Sequence, residues 1–297
     1  MKINKTEITD TFAEAFAMWG ARVVITADSK QWARAAAASM TGFATSVIRC
    51  KLEAAVECEI PPEATPDRRP GVSVLLFTMS SKAIAGQLID RIGQCVMTCP
   101  TTAAFNGLES DKTVSVGGKL RFFGDGYQIS KLMNGRRLWR IPIMEGEFLI
   151  EDSFGIQPAV GGGNLIIMGS SQRIALRAAT AASNAMREVA GVFLPFPQGV
   201  VGSGSKIGSR YKSMIASTND SYCPTLRSIS DKGVLPDNVA AVYEVVVDGL
   251  SEDVVKLAMC RGIHAAAAKA PQIITAGNYG GELGKYKFHL HEILNNT

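Results

Sequence analysis

Histidine is scarce: His264, His289 and His291 are the whole complement of a 297-residue chain. A Ser–His–Asp arrangement has little to draw on, and nothing in the spacing supplies a third ligand beside His289 and His291. The six cysteines contain no C-x-x-C pair; Cys95 and Cys99 lie four apart with no second pair to close a zinc site. Buried small apolar side chains in a reducing compartment are the expectation for them. No apolar run reaches the roughly 18 residues of a membrane helix. The longest, Val72 to Met79, already holds Ser73 and Thr78. The N-terminal stretch lacks the apolar core of a signal peptide. No strand leads into G-x-G-x-x-G, and VGSGSKIGS fails the phosphate-loop pattern because Lys206 precedes Gly208. A net charge of +4 is too weak to imply nucleic acid but admits small anionic partners. What survives is a soluble, cytoplasmic, globular protein without membrane or nucleic-acid function.

Hydrophobic residues make up 46% and charged residues 20%, enough for one large or two ordinary cores. The chain repeats one grammar. ARVVITA reads as a strand, Ser29 caps a helix over KQWARAAAASM, and TGFATSVI reads as the return strand. GVSVLLFT leads to Ser80 and a helix with Ile84, Leu88, Ile92 and Val96 on one side. In the second half NLIIMG leads to Ser170 or Ser171, a helix with Ile174, Ala178, Ala181, Ala185 and Val189 on one face, and GVFLPF. VAAVYEVVVDG then leads to Ser251, a helix carrying His264, and QIITAG. Each half is β-α-β twice, which predicts an α+β fold of two tandem ferredoxin-like (split βαβ) lobes over residues 1–147 and 148–297. Two long stretches, 101–163 and 195–238, interrupt the repeat and read as irregular, ordered functional insertions.

Several residues carry candidate chemistry. Glu244 sits in a strand that is otherwise apolar. There it is either a carboxyl with a raised pKa suited to proton transfer, or an outward residue on the face formed by Ala240, Val242, Glu244, Val246 and Asp248. VGSGSKIGS is either an anion cradle around Lys206 or a plain turn. STNDSYCPT gathers Asn219, Asp220, Tyr222 and Cys223, and reads equally as a turn before Pro224. Asp125, between two glycines, is a turn by default. Glu145, Glu147, Glu151 and Asp152 form an acidic cluster.

Taken together, DTFAEAFAMWGARVVITA, ATPDRRPG, DRIGQCVMTCPTTAAFNGL, KLRFFGDGYQ, IPIMEGEF, PFPQG, VGSGSKIGS, ASTNDSYCPT, VYEVVVDGL and TAGNYGGELGKYKFHLHEIL resemble the formylmethanofuran:tetrahydromethanopterin formyltransferase family from about residue 8 onward. The resemblance implies formyl transfer from N-formylmethanofuran, or an analogue, to N5 of tetrahydromethanopterin, with no metal and no bound cofactor. It implies a homo-oligomer (dimer or tetramer) and a complex with formylmethanofuran hydrolase or dehydrogenase subunits. It places the catalytic glutamate at Glu244. It places substrate contacts at Gln94, Phe123, Asp125, Gly126, Glu145, Glu151, Ser205, Lys206, Asn219, Asp220, Tyr222, Asn278 and Tyr279. Arg68, Arg69, Lys206 and Arg210 are candidate contacts to substrate anions. Two departures stand out: the chain is basic where archaeal members are acidic, and Arg68 replaces the family's usual glycine. The lobes alone would also serve a non-catalytic scaffold subunit or a small-ligand sensor; the retained loops favour the enzyme.

Overall fold

The computed structural model describes residues 1–133, 135–229 and 235–295. It is a mixed α/β protein that divides into two compact units, Ala17–Ala159 and Met1–Phe16 with Val160–Thr297. Among the described residues no helix is long and apolar enough to cross a membrane.

The unit 17–159 is built on β1 (Phe12–Thr26), α1 (Lys30–Thr41), β2 (Glu53–Ile60), β3 (Gly71–Thr78), α2 (Ser81–Arg91) and β4 (Ala103–Asn106). The strands run in the order β2-β3-β1-β4, all antiparallel. Ala33, Ala36, Ala37 and Met40 of α1 and Ile84 and Leu88 of α2 pack on Val23, Ile25, Val74 and Leu76. Ser29 and Ser80 cap the two helices through their hydroxyls, which accept from Trp32 N and Ala83 N. Each such cap contributes about 1 kcal/mol. The last turn before residue 97 widens into a π-turn, Ile92–Val96, with Met97 N–H donating to Ile92 O at 2.8 Å.

Two expectations fail here. TGFATSVI is not a strand: Phe43 takes a left-handed φ of 49°, and Ser46 caps the short helix Val47–Cys50. The return strand is β2, whose alternation of buried and exposed residues the preceding apolar stretch obscured. The stretch from 101 to 163 is not irregular either. It holds β4, β5 (Arg136–Ile143) and β6 (Gly146–Glu151). β6 pairs in parallel with β4 and antiparallel with β5, which extends the sheet. The glycine, serine, asparagine and aspartate residues scattered between these strands masked their pattern.

Arg68 stands in a left-handed turn at φ 60°. Such a conformation costs a side chain roughly 1–2 kcal/mol, and glycine avoids that at a smaller entropic cost. Arg68→Gly is therefore expected to raise stability by up to about 1 kcal/mol, read as a higher midpoint in urea unfolding. An unchanged or lower midpoint would refute the strain at Arg68.

The other unit is built on β7 (Gln157–Gly169), α3 (Gln172–Arg187), β8 (Val192–Phe193), β9 (Ala241–Gly249), α4 (Glu252–Ala267), β10 (Ile273–Thr275), β11 (Tyr286–His289) and α5 (Leu290–Asn295). Its strand order β8-β9-β7-β10 repeats the plan of the first unit, again antiparallel. Ser171 and Ser251 cap α3 and α4 by accepting from Ile174 N and Val254 N. The helices close tightly because Gly262 has no side chain: a Cβ there would sit 2.3 Å from Met186 Cε. The buried face of α3 is Ala175, Ala178, Ala179, Ala182 and Met186, one residue round from the expected face. Alanines all round that helix make the periodicity degenerate, and Met186 supplies the bulk that decides the rotation.

His289 and His291 do not share a strand face. β11 ends at His289, whose ring lies 5.2 Å from that of Phe12, and His291 is on α5, bonded to Ile8 O at 2.9 Å. The turn into α5 brings Leu290 and Ile293 into the core, a gain that continuing the strand would forfeit. His264 lies on α4 as expected. Of the cysteines only Cys260 is buried; Cys58 is exposed and the others are half-buried.

Candidate active site

In the unit that carries Glu244, the helices cover one face of the sheet. Val245 and Val247 of β9 point into that core. Val242 points the other way and packs with Ile166, Met168 and Val239 against Tyr222 and Leu235. Tyr222 and Leu235 of the second long insertion therefore pack on the sheet's helix-free face; residues 230–234 of that stretch lie outside the described residues. Between the 195–238 segment and the sheet lies a cavity of about 160 Å³, lined among others by Glu244, Ile166, Gly202, Gly204, Asn219 and Tyr222. Its backbone wall is fixed: Val201 and Glu244 exchange N–H to O bonds at 2.8 and 3.1 Å, and Ile166 is the cross-strand partner of Glu244.

The Glu244 carboxyl keeps a strip of surface on this cavity and is otherwise walled by protein. No hydrogen bond or ion pair reaches it among the described residues. Burial pushes its pKa up to about 7. Tyr222 and Tyr279 are both pushed up, first by burial and then by the Glu244 charge, so both phenols stay protonated hydrogen-bond donors. The N–H groups of Gly202, Ser203 and Gly204 donate to no acceptor in the chain among the described residues. The Asp220 and Tyr222 N–H groups are spent inside their own turn, on Thr218 O and Asn219 O.

Glu244, Asn219 and Tyr222 thus meet at one cavity, with Tyr279 within electrostatic reach. Lys206 is tied to Asp220 by an ion pair. Ser205 and Arg210 are exposed. Asn278 is anchored by its Nδ2 to Thr11 Oγ1 and Phe12 O, both at 3.2 Å. The other unit holds the rest. Phe123 and Glu145 line an apolar groove of about 800 Å³ with Met97, Cys99, Pro142 and Met144. Glu145 accepts from Thr101 N at 2.6 Å. Gln94 is exposed on the π-turn, an irregularity frequent at functional sites. Asp125 stands in a turn, as its flanking glycines implied, and both it and Gly126 take left-handed φ values, 51° and 92°.

Glu151 opens on neither cavity. It accepts from Asn106 N at 2.9 Å and faces Arg136 at 3.5 Å. Burial raises its pKa, only partly offset by those two partners. Arg69 is occupied by Asp67, Asp28 and Thr101 O, which ties it into the 67–70 turn.

Sequence reasoning missed two polar residues near Glu244. Asn164 on β7 accepts from Gly277 N at 2.6 Å and donates to Gly162 O and Gly277 O, both at 3.1 Å. Glu14, 1% exposed on β1, accepts from four backbone N–H groups between Tyr279 and Gly284. An acidic residue between apolar neighbours, as in FAEAF, was the available signal for Glu14.

Two family models match the chain: one described as formylmethanofuran–tetrahydromethanopterin formyltransferase over residues 1–143, and its proximal-lobe counterpart over 146–293. A formylmethanofuran–tetrahydromethanopterin formyltransferase of Methylobacillus flagellatus is 53% identical, covering 99% of this chain and 100% of the relative. The solved formyltransferase of Methanosarcina barkeri is 49% identical with a TM-score of 0.94, covering 99% of this chain and 100% of that one. A chain of the formyltransferase/hydrolase complex from Methylorubrum extorquens, solved with methylofuran, is 45% identical with a TM-score of 0.95, covering 99% of this chain and 98% of that one.

Proposed function

The chain belongs to the formylmethanofuran–tetrahydromethanopterin formyltransferase family, and from that premise we propose that Glu244 is the proton donor and acceptor of its transfer reaction. The enzyme moves a formyl group from N-formylmethanofuran, or a close analogue, to tetrahydromethanopterin. N5 of the pterin attacks the formyl carbon, and a C–N bond forms. The tetrahedral intermediate carries an oxyanion, for which the free N–H groups of Gly202 to Gly204 are the donors at hand. Neutral Glu244 protonates the departing amine as the old C–N bond breaks. The proton released from N5 restores the carboxyl.

The single observation that carries this reading is a carboxyl facing a small cavity, without a hydrogen-bond or ion-pair partner among the described residues and shifted to about 7. A neutral acid of that pKa suits an amine leaving group at physiological pH. Asn219, Tyr222 and Tyr279 are assigned to hold the cosubstrates around it. Gln94, Phe123, Asp125, Gly126 and Glu145 are assigned to substrate on the other unit. Glu151 supports the strand end beside them. Ser205, Lys206, Asp220 and Asn278 shape the loops. The route needs only amide and carboxyl chemistry, hence neither metal nor bound cofactor.

The β-α-β repeat and matching strand orders support reading each of the two units, 17–159 and 1–16 with 160–297, as ferredoxin-like. The reading extends to a cytoplasmic homo-oligomer that also joins hydrolase subunits, as its Methylorubrum relative does. Exposed Phe122, Tyr127 and Leu132 are the apolar surface that such contacts would cover.

Purified protein, formylmethanofuran and tetrahydromethanopterin, followed by absorbance with and without EDTA, test the reaction. Turnover indifferent to chelator is expected. Loss of turnover on chelation would overturn the metal-free route. Folded but inactive protein would favour the scaffold reading.

A further inference from the structure

We propose that Glu14 is a positioning residue: it holds the Asn278–Gly284 loop, and with it Tyr279, within electrostatic reach of Glu244. This inference rests on the role given to Glu244.

The loop has no regular secondary structure over 278–284, yet one carboxylate collects its backbone. Glu14 Oε2 accepts from Tyr279 N at 2.6 Å and Gly281 N at 3.0 Å. Oε1 accepts from Leu283 N at 2.6 Å and also from Gly284 N. Wrapping this tightly needs glycine. Gly280 and Gly281 take φ values of 73° and 79°, and a Cβ on Gly284 would lie 2.5 Å from Ala15 O and 2.6 Å from Glu14 Cγ. Burial favours the neutral acid, but the four N–H groups outweigh it and hold Glu14 ionised below the usual carboxylate range. A buried anion so satisfied forms one fixed arrangement, because losing any donor leaves charge unpaired.

The loop reaches the site through its first residues. Gly277 is gripped by Asn164, and a Cβ on Gly277 would lie 3.6 Å from Ile166 Cδ1. Ile166 lines the cavity and is the cross-strand partner of Glu244. Two residues on, the Tyr279 ring lies 6.4 Å from that of Phe16, held between this anchor and Glu14. Glu14 touches no cavity atom; its effect on the reaction passes through Tyr279.

A double-mutant cycle tests it. Glu14→Gln places amide N–H against donors, and is expected to cut kcat/KM at least tenfold. Tyr279→Phe should cost a comparable factor. The double variant should be no worse than the weaker single, because both remove one device. Additive losses, or a fully active Glu14→Gln, would overturn the proposal; a merely stabilising role would lower the unfolding midpoint without giving this non-additivity. Should Glu14→Gln not fold, Glu14→Asp takes its place in the cycle: it keeps the charge but draws the loop in by one methylene. Hydrogen exchange on the wild-type chain gives a second readout that needs no turnover. The amides of Tyr279, Gly281, Leu283 and Gly284 should exchange as slowly as β11; exchange at open-loop rates would sink the anchor. Since this readout ignores the chemistry, an active Glu244→Gln would refute the proton donor and leave the loop anchor to be judged separately.

Discussion

Replacing Glu244 by glutamine is expected to lower kcat by about 10²–10⁴ while leaving the chain folded. Glutamine matches the shape of the neutral acid and removes only the transferable proton. The pH dependence should identify the group. With the carboxyl titrating at about 7, the acid form needed to protonate the leaving amine disappears as pH rises. Above that value the wild-type rate should fall about tenfold per pH unit, since one proton is lost. Glu244→Gln should lose this limb. Wild-type-like turnover in the variant, or the same limb in both proteins, would remove Glu244 from the mechanism.

Stability gives an independent reading of the same carboxyl. Its folded pKa lies above the ordinary 4.5, so between those two values the folded chain holds a proton that the unfolded chain releases. Stability therefore falls as pH rises through that window. The upper limit is on the order of 3 kcal/mol, and less where cavity water reaches the carboxylate. Glu244→Gln has no such dependence. Its unfolding midpoint should match the wild type near pH 4 and exceed it at pH 8. Parallel midpoints across that range would mean that the carboxyl is not shifted.

Glu244 was legible as a candidate because an acid between apolar neighbours in VAAVYEVVVDG interrupts an apolar run, but the strand pattern left open whether it faced outward; its burial, which raises the pKa, was not local information. Glu14 carries the same signal in FAEAF but has the opposite fate. What separates them is whether donors meet the carboxylate, and that depends on a loop some 265 residues away in sequence. The serine-capped helices were legible because a cap hydroxyl and the following apolar spacing are local. TGFATSVI misled because its β-branched and aromatic residues favour strand, while a left-handed Phe43 and the Ser46 cap decide otherwise. The Lys206–Asp220 pair was not legible as a pair: nothing local says that Lys206 will lie opposite Ser217 in a short ribbon and so meet Asp220.

Arg22→Ala is expected to destabilise the 17–159 unit by about 3–5 kcal/mol. The register of β2 against β3 slips between Val56 and Cys58, and the residue set out of register is Glu57. This turns an acid onto the sheet with its side chain 7% exposed. Arg22 Nε and Nη2 meet its two oxygens at 2.7 and 2.6 Å, and the Ser73 hydroxyl donates at 2.7 Å. The geometry is bidentate, so the pair offsets the cost of burying both charges. Removing the arginine takes both fork bonds from a carboxylate whose side chain is 7% exposed. Two controls separate this from lost packing. Arg22→Lys keeps the charge but not the fork and should recover only part of the stability. Arg22→Met with Glu57→Gln removes both charges and should lie well above Arg22→Ala in urea midpoint, despite carrying more changes. Neither residue lines the Glu244 cavity, so folded protein should keep its kcat. A loss below about 1 kcal/mol, the range of exposed pairs, would show that water already screens the contact. Equal destabilisation by Arg22→Ala and the double variant would assign the loss to the arginine stem packing on the sheet.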